Sequence, residues 1–151
     1  MTSESLRDKI QTSMIATMRA QDKAKLGIIR LIQAAIKQQE VDERIVLNEE
    51  QILTLLDKMI RQRRDSIKQF DLAKRDDLSK KEAFEISIIQ EFLPPSLSQD
   101  EIQTMIQEAI QEVGATSVRD MGKVMAILKP KLQGRADIGE VGILIKNQFG
   151  S

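Results

Sequence analysis

Basic side chains are concentrated around small and helix-breaking residues in the last third of the sequence. The basic residues are Lys123, Lys129, Lys131 and Arg135, and Gly122, Pro130 and Gly134 lie among them. Lysine and arginine side chains grouped in this way can neutralise the phosphates of a polynucleotide backbone. Gly134 is suited to end one helix and Asp137 to cap the next, so the stretch between them predicts a tight corner that holds Arg135 outward. We therefore expect these four basic residues to contact nucleic acid.

Gly139 and Gly142 both fall within the short helical segment that follows this corner. Each glycine destabilises a helix by about 1 kcal/mol relative to alanine. Two in one short helix indicate a backbone that something approaches closely. A neighbouring helix and a polynucleotide backbone are equally compatible with this pattern.

A second basic group occurs on the longest helical segment, where Arg61, Arg64 and Lys68 are spaced i, i+3, i+7. This spacing places the three side chains on one helix face, which could follow a row of phosphates. The competing interpretation is an ordinary solvated face, balanced by Asp57, Asp65 and Asp71. We favour that interpretation, because any amphipathic helix has a charged side opposite its apolar stripe.

The missing residue types exclude most catalytic chemistry. Among 151 residues there is no His, Cys, Trp or Tyr, and Phe occurs four times. Without His and Cys, Ser-His-Asp and Cys-His machinery and cysteine-based zinc sites cannot form. So few aromatic side chains also disfavour recognition of RNA by base stacking. We expect no catalytic residues, no metal and no cofactor.

Helical periodicity runs through nearly the whole chain and predicts an all-α fold. Seven amphipathic segments are indicated, and no alternating strand pattern of useful length occurs. Asn48, Ser79, Ser98 and Asp137 are the expected N-caps, and Ser117 is expected to open the sixth helix. We expect Gly114 to end the fifth helix and Pro130 to kink or end the sixth.

The adjacent prolines Pro94-Pro95 are the best candidate for a domain boundary, since this pair cannot lie inside a helix. Residues 1–93 are expected to form an antiparallel helical bundle. Residues 96–151 are expected to form a small three-helix domain.

Equal numbers of basic and acidic residues, 23 of each, give a net charge of zero. Any basic footprint must therefore be local. Met1-Thr2-Ser3-Glu4 lacks the basic stretch and apolar run of a secretory signal, and no apolar run approaches the ~20 residues of a membrane span. We expect a cytoplasmic location and no membrane partner.

The C-terminal half resembles the GatB/YqeY domain. Glu91-Phe92-Leu93-Pro94-Pro95-Ser96-Leu97-Ser98 is similar to the motif that opens this domain. Its most distinctive block is matched by Gly114-Ala115-Thr116-Ser117-Val118-Arg119-Asp120-Met121-Gly122-Lys123-Val124-Met125 and then by Lys131-Leu132-Gln133-Gly134-Arg135-Ala136-Asp137. Upstream, two segments resemble the helical part of stand-alone YqeY proteins: Leu26-Gly27-Ile28-Ile29-Arg30-Leu31-Ile32 and Lys58-Met59-Ile60-Arg61-Gln62-Arg63-Arg64-Asp65-Ser66-Ile67.

This resemblance implies a relation to tRNA. The family's C-terminal module is the tail of the B subunit of the tRNA-dependent Asp/Glu amidotransferase, where it is understood to contact tRNA by shape. Any glutamine-dependent ligase activity attributed to the family would be inherited from that larger enzyme, whose catalytic parts this chain lacks. The implied partners are tRNA and a tRNA-charging or amidotransferase enzyme. The alternative is a helical protein-interaction module with no direct role in RNA binding.

Overall fold

A computed structural model describes residues 5–150, and every regular element in this range is helical. The expected all-α fold is therefore confirmed. The seven α-helices are α1 (Leu6–Arg19), α2 (Lys23–Glu43), α3 (Glu49–Leu72), α4 (Asp76–Gln90), α5 (Gln99–Val113), α6 (Met121–Leu132) and α7 (Ile138–Gln148). The four N-terminal residues that argued against a secretory signal lie outside the described residues.

The chain divides into two compact units, and the boundary between them in the sequence lies between Pro94 and Pro95. We call them the N-terminal unit and the C-terminal unit. Each has a hydrophobic core of its own. The assignment of residues 1–93 and 96–151 to two family domains remains a prediction.

The N-terminal unit is built from α1 to α4, joined by short connections. Each helix turns an apolar stripe inward, as its periodicity predicts, and α3 packs most extensively against α4. Among the core side chains that are almost completely inaccessible to solvent are Ile10, Ile29, Ile32, Ile52, Leu56 and Ile89.

Polar contacts connect elements of this unit that are distant in sequence. The Glu40 carboxylate on α2 accepts hydrogen bonds from the Arg7 guanidinium at 2.6 Å and from the Leu47 backbone N–H at 2.9 Å. The Leu47 N–H, followed by the Arg7 side chain, holds the pKa of Glu40 below its ordinary value. Lys25 Nζ lies 2.9 Å from Glu91 Oε1, which links the start of α2 to the end of α4.

One ion pair lies largely out of solvent between α3 and α4. Arg63 Nη2 is 3.8 Å from Glu85 Oε1, and the two side chains are 15% and 12% exposed. Arg63 Nη1 also donates to the Met59 carbonyl at 3.1 Å. Its buried Nε has no hydrogen-bond partner among the residues that the structure describes.

Four predicted helix boundaries are confirmed, and one of them is Asp137, whose side chain accepts a hydrogen bond from the Gly139 N–H at the start of α7. Asn48 and Gln51 form a reciprocal capping box at the start of α3, and Ser98 and Glu101 form another at the start of α5. Gly114 ends α5 in the left-handed conformation, at φ 65°, which a glycine adopts without steric cost.

The predicted start of α4 at Ser79 is wrong, because the helix begins three residues earlier, at Asp76. Asp76 and Asp77 lie in its first turn, where carboxylates are favourable near the positive end of the helix dipole. The Ser79 backbone N–H donates to the Arg75 carbonyl within the helix. Its side-chain hydroxyl donates to Asp71 and does not form a capping box.

The C-terminal unit is organised around α6, which packs against both α5 and α7. Ser117 caps a short 3-10 turn, Val118–Asp120, and α6 follows directly from it. The expectation that Ser117 opens the sixth helix itself is therefore corrected by three residues. Pro130 does not end α6, which continues to Leu132.

Candidate nucleic-acid interface

The three candidate lysines lie on the exposed side of α6. Val124, Leu128 and Leu132 turn inward and are at most 1% exposed. These buried positions recur every four residues, which leaves the other side of the helix in solvent. Lys123 lies on this side, Lys129 and Lys131 lie near its two edges, and all three are exposed.

Helical geometry spreads these lysines over a broad surface. At about 100° per residue, Lys131 lies about 80° to one side of Lys123 and Lys129 about 120° to the other. Lys123 and Lys131 are about 12 Å apart along the helix axis at ~1.5 Å per residue. The exposed Ala126 and Pro130 lie between Lys129 and Lys123 around the helix. We call Lys123, Ala126, Lys129, Pro130 and Lys131 the α6 face.

Charge is segregated between the helices of this unit. The helix α6 contains three lysines and no acidic residue, whereas α5 contains Asp100, Glu101, Glu108 and Glu112 and no basic residue. Those four carboxylates are exposed. Neither Lys129 nor Lys131 lies within 4.0 Å of a carboxylate in the described part of the chain. Although the net charge of the chain is zero, this unit therefore contains one basic and one acidic helix.

Asp120 fixes the backbone just before the α6 face. Its Oδ2 accepts a hydrogen bond from the Thr116 backbone N–H at 3.0 Å. That N–H is the main reason why the pKa of Asp120 lies below its ordinary value; the Ser117 N–H and the charge of Lys123 act in the same direction. The carboxylate thereby ties the start of α6 to the loop that precedes it.

A pH dependence follows from this contact. A carboxylate whose pKa is lowered by folding stabilises the native state above its unfolded-state pKa of ~3.9, and the contribution is lost as the pH falls through the lower native value. We expect wild type to be more stable than Asp120→Asn at pH 6, and the difference to shrink as the pH falls below about 4. Urea unfolding at several pH values measures it, and a pH-independent difference would contradict this assignment.

The structure gives Arg135 a different environment from the one expected. The side chain is half-buried, and its Nε donates a hydrogen bond to the Pro95 carbonyl at 3.3 Å. Its backbone carbonyl accepts from the Leu97 N–H at 2.9 Å. Arg135 therefore does not simply point outward, because it connects the α6–α7 corner to the segment that leads into α5. Gly134 has φ 76°, the left-handed conformation expected where it follows α6.

The two glycines of α7 have neighbours within the chain. A Cβ atom at Gly142 would lie 3.3 Å from Met121 Cε, and one at Gly139 would lie 3.3 Å from Asp137 Oδ1. Met121 belongs to α6, so the group that lies close to Gly142 belongs to a neighbouring helix. The group that lies close to Gly139 is the cap of α7 itself.

The second basic group lies on α3 in the N-terminal unit. Arg61 is exposed and lies 3.4 Å from Asp57 Oδ2, Arg64 is half-buried, and Lys68 is exposed. Asp57 itself is only 6% exposed, so it lies beneath the outer face and not on it. The exposed Asp65 shares the face with Arg61 and Lys68. These contacts favour the interpretation as a charge-balanced face.

Neither a metal site nor a membrane span occurs within residues 5–150. They contain no group of three or more His, Cys, Asp or Glu side chains that could hold a metal ion. No helix in this range is both long enough and apolar enough to cross a membrane.

Comparison with known proteins identifies one family and a group of fungal relatives. The family described as Yqey-like protein matches residues 7–149. A protein of Pyrenophora tritici-repentis named altered inheritance of mitochondria protein 41, mitochondrial, is 28% identical over 85% of this chain and 71% of its own length. Proteins with the same name in Candida glabrata and Eremothecium gossypii are 34% and 33% identical over 64% and 66% of this chain. The chain spans only 55% and 56% of the length of these two relatives.

The expected cytoplasmic location is contradicted by these relatives, which are named mitochondrial proteins. The expectation was based on the absence of an apolar signal segment. That criterion detects secretory signals only, because mitochondrial targeting segments are amphipathic and rich in arginine.

Proposed function

Because the chain belongs to the YqeY-like family, we propose that it is a non-catalytic accessory protein that binds tRNA or assists a tRNA-charging enzyme. The observation that carries the proposal is the α6 face, on which three exposed lysines stand on a helix without acidic residues. The resemblance to the tRNA-contacting tail of the amidotransferase is the reason for proposing tRNA as the kind of RNA that is bound.

The chemistry of the α6 face suits phosphate better than bases. Lysine ammonium groups neutralise phosphates without reading sequence. Ala126 and Pro130 have short side chains, so a rigid polynucleotide backbone can approach the helix between the lysines. Shape and backbone contacts therefore account for recognition, in keeping with the absence of Trp and Tyr.

The acidic helix α5 restricts which side of the C-terminal unit RNA can contact. Its four exposed carboxylates repel phosphate, so RNA can contact the α6 side of the unit but not the α5 side. This confinement reconciles an RNA contact with zero net charge.

The test is tRNA binding by the whole chain, measured by gel shift at several salt concentrations. For Lys123→Gln/Lys129→Gln/Lys131→Gln we expect weaker binding and a log–log salt slope that is smaller by about 2, since each lost phosphate contact removes about 0.7–0.9. The matched control is Lys74→Gln/Lys80→Gln/Lys81→Gln, which removes three exposed lysines from the N-terminal unit. Unchanged affinity and slope in the α6 variant would overturn the proposal.

The non-catalytic part of the proposal is motivated by the absence of His and Cys. The purified chain, supplied with glutamine, ATP and mischarged tRNA, should produce no amidated tRNA. Turnover by this chain alone would contradict this part.

A second candidate is a helical protein-interaction module with no direct RNA role, which the zero net charge favours. In that case a tRNA-charging or amidotransferase enzyme would remain bound after ribonuclease treatment, and the chain would have no measurable affinity for tRNA.

A further inference from the structure

The outward side of α2 carries an apolar stripe that nothing in the described N-terminal unit covers. Its members recur at alternating steps of three and four residues, and all are exposed: Ala24, Gly27, Leu31, Ala34, Gln38 and Val41. Leu31 and Val41 are 49% and 63% exposed. The stripe lies opposite Ile29, Ile32 and Ile36, which fill the core. We call it the α2 stripe.

This spacing is that of the a and d positions of a coiled coil, continued for almost three heptads. From Ala24 to Val41 it extends for about 26 Å at ~1.5 Å per residue. Only Gln38 is polar. An ordinary surface helix would carry charged side chains at these positions, as α3 does at Arg61 and Lys68.

One edge of the α2 stripe is lined by cations at seven-residue intervals. Lys23, Arg30 and Lys37 occupy the g positions of the same heptads, and Arg44, which caps the helix, continues the series. All four are exposed, and none lies within 4.0 Å of a carboxylate among residues 5–150. Residues at g set partner choice in coiled coils through charge pairing.

Gly27 leaves room for a close approach near the N-terminal end of the α2 stripe. It lies inside α2, where glycine destabilises a helix by about 1 kcal/mol relative to alanine. A Cβ atom there would meet no other atom within 4 Å. Packing within the N-terminal unit therefore does not require this glycine.

Charge identifies the kind of partner. Two copies packed antiparallel through the α2 stripe would bring the two cation rows together, which is repulsive. Packed in parallel, each row would face Ile28, Ala35 and Asp42, of which only Asp42 is acidic. A helix with acidic flanks is the complement that neutralises the whole row.

Other anionic surfaces fit less well. A lipid surface is bound by large apolar side chains that enter it, but Ala24, Gly27 and Ala34 offer almost none. A nucleic-acid backbone would make no use of Leu31 and Val41. We infer that the α2 stripe docks an amphipathic helix of a partner protein, whose apolar seam is flanked by glutamate or aspartate. This inference concerns the N-terminal unit and holds whether or not the α6 face binds RNA.

The probe is a labelled synthetic helix of three heptads with Leu at a and d and Glu at e and g, titrated with the whole chain by fluorescence anisotropy. We expect this peptide to bind wild type, and the same peptide with Lys at e and g not to bind. Arg30→Glu/Lys37→Glu and Leu31→Glu should each weaken binding by about 10-fold or more, since they alter one charge row and one seam position. All substituted side chains are exposed, and circular dichroism checks the fold.

Matched controls change the same residue types elsewhere. Lys80→Glu/Lys81→Glu alters two exposed cations of α4, and Leu72→Glu alters a leucine on α3 that is 80% exposed. Both should bind the acidic peptide as wild type does. Equal binding of the two peptides, or unchanged binding by the α2 variants, would overturn the inference. So would a dimer that Leu31→Glu abolishes, or phosphatidylserine vesicles that bind the chain while the acidic peptide does not.

Discussion

Replacing Ile145 with alanine is expected to lower the free energy of unfolding of the C-terminal unit by about 2–5 kcal/mol. Ile145 is completely buried in the core that α5, α6 and α7 share. The core of a domain below ~70–80 residues rarely supplies more than about 3–5 kcal/mol. The substitution should therefore unfold this unit in most molecules. Urea unfolding, with amide hydrogen exchange in α5 to α7, measures the effect.

Ile143→Ala provides the control within the same helix. This isoleucine lies two residues away and is 61% exposed, so its removal should change the stability by less than about 0.5 kcal/mol. The two variants delete the same atoms and share one helix propensity. Equal destabilisation by both would contradict the burial that the structure assigns to Ile145.

Most of the architecture could be predicted from the sequence, because each helix carries its own local signals. Apolar spacing identified seven helices, and capping boxes located the starts of α3 and α5. The start of α4 was missed because two capping signals compete within four residues. Ser79 offers a capping side chain, but Asp76 and Asp77 favour an earlier start through the helix dipole.

The candidate site was predictable only where exposure follows from periodicity. The exposure of Lys123 follows from the buried stripe of α6, whereas Lys129 and Lys131 lie near the edges of that stripe. The contact between Arg135 and Pro95 joins residues 40 positions apart. No local pattern predicts such a contact. The α2 stripe was missed for another reason. Apolar residues at helical spacing in a sequence are normally assigned to the core, and Leu31 and Val41 can be recognised as exposed only when their burial is known.

The two proposals explain in different ways how a chain with zero net charge presents local cationic surfaces. In the C-terminal unit, basic and acidic residues lie on different helices. On α2, cations line one edge of an apolar stripe. Each surface has its own complement, a phosphate backbone or an acidic helix. Loss of one binding activity should therefore leave the other intact.

Arg63→Met is expected to destabilise the N-terminal unit by about 3 kcal/mol. The substitution leaves Glu85, whose side chain is 12% exposed, without its opposite charge between α3 and α4. Removing one partner of a largely buried pair leaves an uncompensated charge in a poorly solvated site, and that charge accounts for most of the expected loss. Thermal or urea unfolding of the whole chain measures the loss.

The reason for this loss can be separated from the removal of a packing side chain. In Arg63→Met/Glu85→Met no charge remains, and the unsatisfied Nε of Arg63 is also gone, so we expect most of the lost stability to return. The exposed pair Arg75–Asp77 is the comparison. Its 3.1 Å separation is shorter than the 3.8 Å of the buried pair, but its side chains are 56% and 64% exposed. Water screens that pair, so Arg75→Met should have little effect despite the shorter distance. A double variant as unstable as Arg63→Met would mean that arginine packing, and not the unpaired glutamate, determines the loss.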